Sequence, residues 1–121
     1  MNAGPFDVEA YVRHGDVTAV LRPLSITLGP LERIASAEPW PQVHRRGDVR
    51  VVLQPTEDGF LAVWVRGSDA WPSCAALGRQ LARELQCVVR CDPGDTLPGV
   101  DAQAGVLLEM DGAGERFVIL G

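Results

Sequence analysis

Six consecutive apolar residues, Phe60-Leu61-Ala62-Val63-Trp64-Val65, follow directly on Asp58-Gly59. A strand with no polar position has no face to offer water, so this run predicts a strand buried on both sides. Asp-Gly is a strong hairpin signal, and Val49 to Gln54 supplies the outgoing strand before it. A fold built on this hairpin must find cover for two faces.

Only one long amphipathic segment offers itself. Trp71, Cys74, Leu77, Leu81 and Leu85 recur at spacings of three and four, with Arg79, Arg83 and Glu84 off the stripe. This predicts a helix over about 70–86. Ser68 or Asp69 suits its N-cap, and Pro72 its first turn. Gly78 weakens the helix by roughly 1 kcal/mol relative to alanine, and its presence marks close packing on a sheet.

The rest reads mostly as strands. Val8, Ala10 and Val12 alternate with Asp7, Glu9 and Tyr11, and Val17, Ala19 and Leu21 alternate after His14-Gly15-Asp16. Period two on both sides of a turn predicts a first hairpin. Ser25 to Leu28 reads as a short strand, and Pro30 to Ala35 as a short helix with proline in its first turn. Residues 37–48 read as a loop, because Pro39 and Pro41 flank Trp40. Cys87 to Cys91 is a short strand, and Val106–Met110 and Arg116–Leu120 form a hairpin around Asp111-Gly112-Ala113-Gly114.

The expected fold is therefore α+β, one globular domain over residues 1–121. Its sheet is mostly antiparallel with about six to seven strands. The main helix, near 70–86, packs on one face, and a short helix lies near 30–36. One long helix cannot cover both faces of strands such as Phe60–Val65 and Phe117–Leu120. The remaining face must be closed by the short helix and its loop, by a curled sheet, by a protein partner, or by a second copy in a homodimer.

Charge narrows the function classes. Eleven basic residues against sixteen acidic ones leave a formal net charge of −5, which lacks the basic footprint of a nucleic-acid binder. All eleven basic residues are arginine. That removes a Schiff-base lysine, a phosphate-loop lysine and a lysine general base. Arginine for lysine, with abundant Ala, Gly and Pro, points to a GC-rich bacterial source. No apolar run approaches the roughly 20 residues of a membrane span. Met1 to Val12 carries Asp7 and Glu9 without a basic or apolar leader pattern, so a cytoplasmic setting is expected.

Few residues suggest chemistry. Cys74, Cys87 and Cys91 are three, not four, thiols without paired spacing, and read as core residues rather than a metal or redox site. A nucleophile pair of Cys91 with His14 or His44 has no local support, and Asp92 opposes thiolate formation. Asp92, Asp95 and Asp101 lack calcium-loop spacing. Arg46-Gly47-Asp48 reads as a turn. No serine-hydrolase, zinc-protease or phosphate-loop pattern is present. No cofactor, metal or catalytic residue is assigned.

The segment Trp40 to Arg46 stands out, with an aromatic ring, a histidine and two arginines on a proline-stiffened stretch. Trp and Arg are enriched at interface hot spots, so Trp40, His44, Arg45 and Arg46 are the expected partner-binding residues. In size and charge the chain resembles small bacterial cytosolic α+β proteins encoded as toxin-immunity partners. That resemblance implies a protein-interaction module without catalytic activity, and carries no residue over. The alternative is a small-molecule-binding protein or small enzyme with its site in an open sheet face.

Overall fold

The computed structural model describes residues 7–94 and 105–119. Its elements run β1 (Val8–Val12), α1 (Val17–Leu28), β2 (Glu32–Ile34), β3 (Gln42–Arg46), β4 (Val49–Pro55) and β5 (Leu61–Arg66). They continue with α2 (Cys74–Leu85), β6 (Val89–Cys91), β7 (Val106–Asp111) and β8 (Gly114–Ile119). The eight strands form one antiparallel sheet in the order β2-β3-β4-β5-β1-β6-β7-β8. The fold is α+β as expected, with slightly more strands than the sequence reading counts.

The core lies between this sheet and its two helices. Ala75, Leu77, Gly78, Leu81 and Ala82 of α2 are buried. All but Gly78 share one cluster with Val8, Ala10 and Val12 of β1, Val89 and Cys91 of β6, and Leu108 and Met110 of β7. From α1, beside α2, Val20 and Leu24 reach the same cluster. Gln80 ties the helix layer together. Its Oε1 accepts the buried Trp71 indole N–H at 2.8 Å, and its Nε2 donates to Thr27 Oγ1 at 3.0 Å on α1.

Residues 17–28 correct the sequence reading. They form a helix, not a returning strand followed by a second short strand. Val17, Val20, Leu21, Leu24 and Leu28 also recur at three and four, and this second period is the one the core selects. Asp16, read as a turn residue, is the N-cap, and its Oδ1 accepts the N–H groups of Thr18 and Ala19 at 3.0 and 3.4 Å. Pro23 sits inside this helix and is buried, so burial overrides its poor helix propensity.

Two further expectations fall together. The short helix near 30–36 is instead β2, an edge strand pairing Glu32 with Arg45 and Ile34 with Val43. Within the expected loop 37–48, residues 42–46 are β3. Pro39 and Pro41 precede that strand, where they take no ladder hydrogen bond from it. Gly47-Asp48 is the two-residue turn into β4.

Helix α2 lies where its stripe predicts, but Ser73 caps it, accepting the Ala76 N–H at 3.0 Å. Ser68 and Asp69 precede it, outside the helix. Strand β5 is not buried on both faces. Leu61, Val63 and Val65 face the helices and are buried, while Ala62 and Trp64 face away, with Trp64 40% exposed.

Gly78 packs where α2 meets the sheet. A Cβ there would lie 3.1 Å from Met110 Cε, 3.2 Å from its Sδ and 3.5 Å from Val89 Cγ1. Gly78→Ala asks only the flexible end of Met110 to move, so its strain is offset by the gain of roughly 1 kcal/mol in helix propensity. Gly78→Val pushes branches into Val89 as well, and is expected to lower the stability by about 1–3 kcal/mol. Urea unfolding of both variants checks the contrast.

Candidate functional site: the open sheet face

Because side chains alternate along each strand, the face turned away from the helices collects distant residues into rows. Cross-strand pairing aligns Ile34, Val43, Val52, Trp64 and Glu9. A second row aligns Glu32, Arg45, Arg50 and Arg66. A third runs Gln54, Ala62, Tyr11, Arg90, Glu109 and Arg116. Strands lie about 4.8 Å apart, so the apolar part of the first row is a ridge across four strands.

The arginine row is half-neutralised. Arg45 Nε lies 3.1 Å from Glu32 Oε1, and Arg66 Nε 3.6 Å from Asp7 Oδ2. The Arg66 guanidinium also stacks 4.7 Å over the Trp64 ring. Arg50 donates to the carbonyls of Gly47 and Val49 at 2.8 and 3.1 Å. Among the described residues no carboxylate forms an ion pair with it.

The third row is a forked ion network. Glu109 accepts Arg90 Nε on one oxygen at 2.8 Å and Arg116 Nε on the other at 2.9 Å, while Arg116 also reaches Asp111. Hydrogen bonding from Arg90 first, and from Arg116, holds the Glu109 carboxyl below its usual range. Arg116 does the same for Asp111. Arg13 and Arg90 stack on the buried Phe60 ring at 5.0 and 4.8 Å. Tyr11, Thr56, Asp58, Phe60, Arg90 and Leu107 line a hollow of about 200 Å³. Burial, then the charge of Glu9, pushes the Tyr11 phenol up to about 12, so it stays neutral.

The four residues singled out by sequence do not converge. Arg45 alone joins the open face. His44 points to the helix side, is buried, and lies with its Nε2 3.3 Å from Gln42 Oε1. Arg46 lays its guanidinium over Gly29, the C-cap of α1, where a Cβ would meet its Nε at 2.5 Å. A cation there complements the negative end of the helix. Trp40 packs against the edge of the core.

The thiols are no better placed for chemistry. Burial, then the neighbouring Cys74, pushes Cys91 up to about 12. Burial raises Cys74 and Cys87 as well. Cys91 on β6 and His44 on β3 are four strand spacings apart, roughly 19 Å at the usual separation. Asp92 accepts the Gly94 N–H at 2.8 Å in a local turn, while Asp95 and Asp101 lie outside the described residues. Among the described residues no three of His, Cys, Asp and Glu are grouped to hold a metal.

Trp64, Arg50 and Arg66 are the residues that sequence reading passed over. The signal was their phase. Arg50 and Val52 share one face of β4, and Trp64 and Arg66 one face of β5, so a polar end on each strand marks the side that meets water. Comparison with protein-family models, with curated proteins and with solved structures finds no match to this chain.

His44 gives the fold a pH dependence. Burial, and then the charge of Arg33, lowers its pKa from 6.5. The folded state therefore binds this proton less readily than the unfolded state. The stability it contributes is complete above the unfolded value and falls as pH drops through 6.5 toward the lower folded one. The urea midpoint is expected to decline between about pH 7.5 and 5.5. In His44→Gln this part of the decline should disappear. An unchanged profile would remove His44 as its source.

Proposed function

We propose that this chain is a small bacterial cytosolic protein-interaction module of immunity or antitoxin type, without catalytic activity, and that it binds its partner through the open sheet face. One observation carries the reading. Half-exposed Trp64 ends an apolar row of Ile34, Val43 and Val52, flanked by Arg45, Arg50 and Arg66, on a face with no helix among the described residues. Trp and Arg dominate binding energy at protein interfaces, where an apolar centre sits inside a polar rim. The partner that fits carries an apolar strip bordered by carboxylates, able to take up guanidiniums that Glu32 and Asp7 only partly neutralise.

The chemistry of the face favours contact over turnover. Its phenol is held neutral, and two of its carboxylates, Glu109 and Asp111, are tied up by arginines. The two hollows beside Tyr11, at about 200 and 270 Å³, fall below the roughly 300–1,000 Å³ usual for small-molecule pockets, and a wider one of about 650 Å³ beside Arg79 and Glu115 lies off this face.

A photo-crosslinking residue at Val52, in the full chain in its native host, is expected to trap a discrete protein adduct. The same probe at Ile26, exposed on α1, should not. Trp64→Ala should weaken that complex by roughly 2 kcal/mol or more with little loss of stability. Adducts from Ile26 alone, or binding indifferent to Trp64→Ala, would overturn the reading.

A further inference from the structure

The two edges of the sheet differ in kind. Strand β2 is three residues long and presents exposed Glu32 and Arg33. Short, charged edges are how sheets avoid pairing with other chains. Strand β8 is six residues long, Gly114–Ile119, and ends the sheet on the other side. Alternate residues along it turn their N–H and C=O groups away from β7, and among the described residues no strand lies beyond it.

Two of the largest exposed apolar side chains stand on this edge, Phe117 at 45% and Ile119 at 79% exposure. They pair in register with Leu108 and Val106, on the helix side of the sheet. Leu108 is buried in the core, while one strand further out α2 reaches β8 through the Arg79–Glu115 ion pair and leaves Phe117 and Ile119 part-exposed. The charges of β8 are already matched within the chain. Glu115 is held by Arg79 at 2.8 Å, and Arg116 by Glu109 and Asp111. An apolar edge with its charges satisfied, on a chain of net charge −5, is a place where a like-charged molecule meets little local repulsion.

We infer that β8 is a self-association edge, and that its partner is a second copy of this chain, joined by antiparallel β8–β8 pairing about a twofold axis. The axis passes through Phe117. A centre at Arg116 would set each guanidinium opposite its own counterpart, and like charges directly opposed destabilise a sheet. A centre at Phe117 sets the two rings against each other, Arg116 opposite Val118, and Glu115 opposite Ile119. It pairs five residues of each strand, 115–119. The twofold stands perpendicular to the sheet, so both helix layers lie on one side and the Phe117 and Ile119 side chains of the two copies close into one apolar cluster. The sheets merge into a continuous one, which removes both exposed edges at the joint. This interface is separate from the open face and independent of what binds there.

Sedimentation of the full chain over rising concentration tests it, with a dimer expected. Ile119→Lys replaces an exposed side chain, leaves the fold intact by circular dichroism, and should weaken dimerisation roughly tenfold or more. Under mild oxidation Phe117→Cys should form a disulfide-linked dimer, because residues on the axis lie about 4.5–5.5 Å apart between Cα atoms. The wild type, with Cys74, Cys87 and Cys91 alone, should not. Trp64→Ala should leave the dimer unchanged, which separates this result from the open-face reading. A chain monomeric at every concentration, or a dimer indifferent to both Ile119→Lys and Phe117→Cys, would overturn the inference.

Discussion

The sheet holds together through β1. On one side it pairs with β5 over Val8–Val12, and on the other with β6 through Tyr11 and Val12. It thereby joins two antiparallel meanders, β2 to β5 and β6 to β8, that share no other strand contact in the sheet order. Its helix-facing residues, Val8, Ala10 and Val12, are buried beneath α2. Small and β-branched side chains at these positions let the helix approach closely, as the bare Gly78 does over Val89 and Met110. A larger residue at Ala10 would lift α2 from β1, and a branched one at Gly78 would push it from Val89 and Met110 of the β6–β8 meander.

Placing both helices on one face has a consequence for the other. The apolar residues of the strands divide between a side that is dry and a side that is not. Ala62 and Trp64 belong to the second, and so do Ile34, Val43 and Val52. The third row of that face is stabilised by the Arg90–Glu109–Arg116 fork rather than by burial. Among the described residues the half nearer β2 has single ion pairs, a stacked tryptophan and the Arg50 bonds to backbone carbonyls. That asymmetry makes the β3–β4–β5 half the part of the face with contact energy to give, since exposed single ion pairs are weak and easily exchanged.

Where sequence reading went astray, two periods competed over the same residues. Val17, Ala19 and Leu21 satisfy a strand, while Val17, Val20, Leu21, Leu24 and Leu28 satisfy a helix. Proline is a poor helix former, yet Pro23 is buried within the helix, and the packing of Val20 and Leu24 into the core decides for it. Likewise Gln42 to Arg46 carries polar residues on both faces, which no amphipathic template reads as a strand. It pairs because β4 offers its edge, and because a buried His44 and a helix-capping Arg46 face the interior.

Local order was therefore legible where the signal lies within a few residues of chain. The stripe of α2, the Asp58-Gly59 hairpin and the hairpin from Val106 to Ile119 are each encoded by near neighbours. The arginine charge, the lack of lysine and the α+β class follow from composition and pattern alone. Strand order, the face that stays open, and the meeting of Arg45 with Arg50 and Arg66 were decided by the tertiary structure. Those depend on pairings between segments far apart in sequence, whose free energy arises only when β1 and the two helices have closed the core.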